Sequence, residues 1–124
     1  MQLTQENPEF VYVPRGVVPG GVLVNQRTLE RSFLLAPDRL VEDWRPTAAG
    51  ELLPADLDAA LALQPALMLL GTGERQRFPP PAAMAALLTR GIGLEVMDNA
   101  AAARTFNVLA TEGRRVVAGF LLPG

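Results

Sequence analysis

The groups in this sequence best suited to recognition chemistry gather at two places. Gly71-Thr72-Gly73-Glu74-Arg75-Gln76-Arg77 follows one wholly apolar run, and Asp98-Asn99 follows a second. Two glycines let a backbone approach a ligand closely, and Thr72 offers a hydroxyl. Arg75 and Arg77, two apart in an extended loop, point to the same side, where guanidiniums grip a carboxylate or phosphate through paired hydrogen bonds. A helix starting at Asn99 would add the partial positive charge of its free N–H groups, although the Asp98 carboxylate would oppose it. The ligand expected at Gly71, Thr72, Gly73, Arg75, Arg77, Asp98 and Asn99 is therefore a small anion. The plainer reading is that the glycines turn the chain off a buried strand while the arginines are solvated or pair with Glu74 or Asp98.

Known phosphate motifs do not fit. A Walker loop needs GxxxxGK[ST], and a dinucleotide fingerprint needs a third glycine running straight into a helix. The chain contains no Cys, His or Lys, and Ser32 is its only serine. Thiolate or histidine metal sites, Ser-His and Cys-His relays, Schiff bases and a P-loop lysine are excluded by composition. No metal site and no cofactor is expected. Ser32 lies among apolar neighbours without a base to activate it, and Asp56 and Asp58 fit the first turn of a helix better than a shared proton. Asp98 acting as base on a water would be the only hydrolytic route, and it would need a buried carboxylate. All eleven cations are arginines, a bias that genomic base composition or selection for planar anion recognition would equally produce.

Residues 1–124, with 49% hydrophobic content and a net charge of −2, read as a single domain and not as a basic nucleic-acid binder. The start of the chain has no basic segment leading into an apolar one, and no apolar run is long enough to span a bilayer. A cytoplasmic protein without membrane insertion is expected.

Before residue 45, the runs Phe10-Val11-Tyr12-Val13, Val22-Leu23-Val24 and Ser32-Phe33-Leu34-Leu35 are separated by turn residues and predict antiparallel strands. Asp56 to Leu63 predicts a short helix ended by Pro65. Ala66 to Leu70 predicts a buried strand, and a helix from Pro80 or Pro81 places Met84, Leu87 and Leu88 on one face before Gly91. Leu94 to Met97 predicts another strand. The Asp98-Asn99 cap then opens a helix carrying Ala103, Phe106, Val108, Leu109 and Ala110, and Val116 to Leu122 predicts a last strand. The fold class is α/β: one three-layer domain, a mixed sheet flanked by helices, with an N-terminal antiparallel β portion. Ligands in such sheets bind beyond the carboxyl ends of the strands, so the 71–79 loop and the 98–100 helix start are expected to face each other across a crevice. Trp44, the only tryptophan, either plugs the core or faces a partner.

The runs "LLGTGERQRFPPP" and "GIGLEVMDNAAAARTFNVLATEGRRVVAGFL", with the earlier Gly-Gly, "SFLLAP" and Trp44 at compatible spacing, resemble the small α/β domain family that includes mitochondrial complex I assembly factor 3 and bacterial and archaeal relatives. The resemblance covers nearly the whole chain. It implies a compact mixed-sheet domain flanked by helices, with no established enzymatic activity and, in the mitochondrial members, a role through protein contacts during respiratory complex assembly. Thr72, Gly73, Asp98, Thr105 and Asn107 match the family motif. The family commonly has Thr where this chain has Asn99 and often Cys where it has Ala103, so cysteine chemistry cannot operate here. Two functions follow as expectations. One is a non-catalytic, assembly-factor-like interaction module with an unidentified protein partner and a contact surface at Trp44 and the N-terminal strands. The other is a binding protein for a small anionic metabolite.

Overall fold

The computed structural model describes residues 10–124. Strands β1 (Pro14–Val18), β2 (Gly21–Val24) and β3 (Arg27–Leu29) form an antiparallel three-stranded sheet. The other five are β4 (Arg31–Ala36), β5 (Arg39–Val41), β6 (Leu67–Gly71), β7 (Gly93–Met97) and β8 (Val116–Pro123), which build a mixed sheet in the order β5-β4-β8-β6-β7. The helices are α1 (Asp58–Leu61), α2 (Pro81–Leu88) and α3 (Asn99–Thr111). The expected N-terminal antiparallel portion thus divides, with three strands in a sheet of their own and two joining the central one.

β6 pairs in parallel with both β7 and β8, while β8 pairs antiparallel with β4. Seven of the eight β8 residues are buried, as the middle strand of a sheet covered on both faces requires. The β6–β7 crossover steps one way along the sheet and the β7–β8 crossover steps back past β6. Their helices α2 and α3 pack in separate cores on opposite faces, so both crossovers share one hand, the right-handed one that twisted strands impose.

One face carries Phe33, Leu35, Leu69, Ala118 and Phe120 against Ala102, Ala103, Phe106 and Ala110 of α3 and against Val22, Val24 and Leu29 of the small sheet. Phe33 stacks on Phe120 with ring centroids 4.9 Å apart. The other face carries Leu34, Met68, Leu70, Val117 and Leu121 against Ala83 and Leu87 of α2, with Trp44, Leu52 and Leu57 from the connecting turns. Each fully buried Phe or Leu stabilises the fold by roughly 1.5–3 kcal/mol over an exposed one.

Some sequence expectations are corrected. The 10–13 run forms no strand; Val11 and Tyr12 both donate to the Pro37 carbonyl, and the ladder begins at Pro14. The 56–63 helix is a 3₁₀ turn, Pro54–Leu57, followed by the four-residue α1. Leu88 and Val108 are 59% and 58% exposed, so each lies outside the core that its helix faces.

Candidate functional site

Strand β6 ends at Gly71, whose missing side chain makes room for Asn99. A Cβ at Gly71 would collide with the Asn99 amide oxygen. Asn99 is 3% exposed and ties three elements together. Its backbone N–H donates to the Gly73 carbonyl (2.8 Å), its Oδ1 accepts from the Gly73 N–H (3.2 Å), and its Nδ2 donates to the Leu121 carbonyl of β8 (3.0 Å). Thr72 is likewise committed: its N–H donates to the Met97 carbonyl, and its hydroxyl lies 2.6 Å from the Arg75 carbonyl and 3.2 Å from that of Met97 while accepting from the Arg77 N–H. Asp98 caps α3, its Oδ1 accepting from the Ala101 N–H at 2.8 Å, so the helix N-terminus already holds an anion of its own.

The structure therefore brings Gly71, Thr72, Gly73, Asp98 and Asn99 together, but the segments expected to face one another across a crevice are hydrogen-bonded directly. Arg75 and Arg77 stand apart from this knot, exposed, with no carboxylate partner among the described residues. Between them Gln76 donates to the Val96 carbonyl of β7 at 2.9 Å. The 72–77 loop is thus pinned at the Thr72 hydroxyl and at the edge strand, and its arginines project from a fixed frame.

Trp44 is corrected as a partner surface. Its ring is 7% exposed and lies over Gly119 of β8, where an added Cβ would meet Cζ3 at 2.6 Å. Its Nε1 donates to the Asp56 carbonyl at 2.9 Å. Beside it Arg45 makes paired hydrogen bonds to the Asp56 carboxylate at 2.8 and 2.7 Å, and the Leu53 N–H donates to the same group. The Arg45 guanidinium holds the Asp56 carboxyl below the ordinary carboxylate range. In the small sheet Val22, Val24 and Leu29 turn into the core, while Val17 on β1 stays 48% exposed. Ser32 is buried at a slip in the β4–β8 register, where its hydroxyl accepts from Leu122 N–H at 2.8 Å and faces the Leu122 carbonyl at 3.3 Å, replacing ladder bonds. Thr105 is half-buried on α3, and the Asn107 amide donates to the Pro14 carbonyl at 2.8 Å.

A family model described as "Protein of unknown function (DUF498/DUF598)" matches residues 14–121. The chain belongs to this family. A solution structure from Xanthomonas campestris shares this fold, with 55% identity and a TM-score of 0.84, covering 100% of this chain and 94% of that one. The "13 kDa major membrane protein" of Francisella tularensis is 37% identical over 94% of this chain and 95% of its own length. Bovine "NADH dehydrogenase [ubiquinone] 1 alpha subcomplex assembly factor 3" is 28% identical over 98% of this chain, which spans 66% of that protein. The resemblance read from the sequence is thereby shown, and so is the mixed α/β fold.

Two features of this family member went unread in the sequence. Where β3 faces β5, two shallow hollows of about 340 and 310 Å³ share Arg27 and Leu29, with Tyr12 and Leu40 lining one and Phe33 and Asp43 the other. The Arg27–Glu42 ion pair lies there, and no local pattern announces a pairing made by tertiary folding. The second feature did have a signal. Helix α2, Pro-Ala-Ala-Met-Ala-Ala-Leu-Leu, has no polar side chain on any face, yet it lies on the surface, and Phe78 just before it is 65% exposed. An all-apolar helix normally belongs to an interior.

Proposed function

We propose that this chain is a non-catalytic docking domain that helps assemble a membrane-associated protein complex from the cytoplasmic side. The observation that carries this reading is the knot at the strand ends. Thr72, Gly73, Asp98 and Asn99, where a sheet of this kind would bind a ligand, spend their hydrogen-bonding groups on one another and on neighbouring backbone. A catalytic or ligand site needs such groups aimed at a reacting atom. Two relatives support the reading: one is an NADH dehydrogenase assembly factor and the other a major membrane protein. No helix among the described residues is long and apolar enough to cross a membrane.

A second reading, binding of a small anionic metabolite at the 71–79 loop, draws on the outward Arg75 and Arg77. A thermal-melt screen against phosphate and small carboxylates, run on the native chain and on Arg75→Ala/Arg77→Ala, separates the two. The docking reading expects no shift. A ligand at a hundred times its dissociation constant stabilises by about 2.7 kcal/mol, several degrees for a domain of this size. A shift of that order that vanishes in the double variant would overturn the proposal.

A further inference from the structure

The surface of α2 contrasts with the charge balance of the chain. Segment 74–90 holds three arginines and one carboxylate, Glu74, for a net charge of +2 in a chain whose net charge is −2. Arg75 and Arg77 lie ahead of the helix and Arg90 just after it, all three exposed and without an ion pair among the described residues. Between them runs an uncharged outer stripe. Positions 81, 85 and 88 share one side of a helix, and all three are exposed, Leu88 by 59%. Phe78, at 65%, is the most exposed of the large apolar residues described. It does not hang from a loose loop, because Thr72 and Gln76 pin the turn that leads into it.

We propose that this face, with Arg75, Arg77 and Arg90 bracketing Phe78, Ala85 and Leu88, adsorbs to an anionic lipid surface. The inference rests on the docking reading above and names the surface from which the domain would meet its partners. Arginines reach lipid phosphates while an aromatic ring and apolar helix face settle among the headgroups, without insertion across the bilayer. Charge and shape favour this occupant. A second copy meeting the same face across a two-fold axis would set arginines against arginines. A protein partner would need a groove matched to a convex helix and a projecting ring, whereas a headgroup layer conforms to both. Glu95, exposed on β7, alternates with Leu94 and Val96, which pack toward the α2 core, so its carboxylate lies on the opposite face of the sheet.

Co-sedimentation with vesicles tests the proposal, comparing pure phosphatidylcholine with phosphatidylcholine–phosphatidylglycerol mixtures at low and high salt. The chain is expected to pellet with the anionic vesicles only, and to be released by salt. Arg75→Ala/Arg77→Ala should weaken that binding about twenty-five-fold, since each arginine near the surface contributes about a factor of five. Phe78→Ala should weaken it about tenfold without altering its salt dependence. These side chains are exposed, so the variants fold, and melting curves check that they do. Absence of pelleting with anionic vesicles would overturn the proposal, as would binding undiminished in the arginine variant. A dimer in sedimentation velocity that Leu88→Asp dissolves, in a chain indifferent to vesicles, would overturn it in favour of self-association. None of those failures touches the docking reading, which falls only if the metabolite screen gives an arginine-dependent shift.

Discussion

Gly71-Thr72-Gly73 and the five residues after it are joined by one peptide bond and use their polar groups in opposite ways. The first three turn everything inward: a glycine yields space to the Asn99 amide, a hydroxyl serves loop and strand backbone, and a backbone N–H meets a carboxamide. The next five, 74–78, are all exposed, and of their side chains only Gln76 is tied back to the sheet. The difference teaches that a loop with the residue types of a binding site can be two devices in series. One locks strand ends together, and the other is a platform held rigid by that lock.

The largest effect that would break this contrast comes from Gly71→Ala. The new methyl displaces the Asn99 amide, so the variant should lose the bonds that Asn99 makes and add the strain of overpacking, about 3 kcal/mol in chemical unfolding. Asn99→Ala alone should cost about 2 kcal/mol, because it leaves the Gly73 N–H and the Leu121 carbonyl without their partner. Combining the two sharpens the test. The clash needs both groups, so the double variant should be less damaged than the sum of the singles, and strict additivity would refute direct contact.

A smaller effect belongs to the second lock, at Asp56. Its carboxyl is held below the ordinary range by Arg45, so the stabilisation is complete above the unfolded carboxylate pKa and is lost as pH falls through the lower folded value. Melting temperatures of the native chain and Asp56→Asn should differ by a constant amount near neutrality, equivalent to about 1–2 kcal/mol, and converge below the carboxylate range. A gap that persists in acid would mean the pair contributes nothing through its charge. Smallest of all is Arg75→Ala/Arg77→Ala, expected to leave stability within about 0.5 kcal/mol. A larger loss would show that the platform belongs to the lock.

The second half of the fold was legible because its signals are local. Apolar runs of strand length, a proline opening α2 and an aspartate capping α3 each act within a few residues, and the observed boundaries follow them. The site was legible only in part. Chain proximity brings 71–73 to 98–99, but whether two segments leave a crevice or bond across it depends on one side chain, Asn99, and on the absence of another at Gly71. Trp44 was undecided for the same reason: the space its ring fills is created by Gly119, seventy-five positions later, and sequence spacing carries no such pairing. The 10–13 run shows the converse. Its β-branched and aromatic residues favour a strand, but both described donors at 11 and 12 go to a single carbonyl at Pro37 and form no ladder.

The position of β8 has a consequence during synthesis. Among the eight strands of the described residues it is the last to be made, yet it fills the middle of the central sheet, between β4 and β6. Until it leaves the ribosome, β4–β5 and β6–β7 are two unjoined half-sheets, each with an apolar edge open to water. A translating chain must keep the Met68-Leu69-Leu70 run from non-native pairing for some fifty residues of further elongation, and then zip two edges at once. Interruption of translation before Val116 would therefore release an aggregation-prone fragment and not a smaller domain.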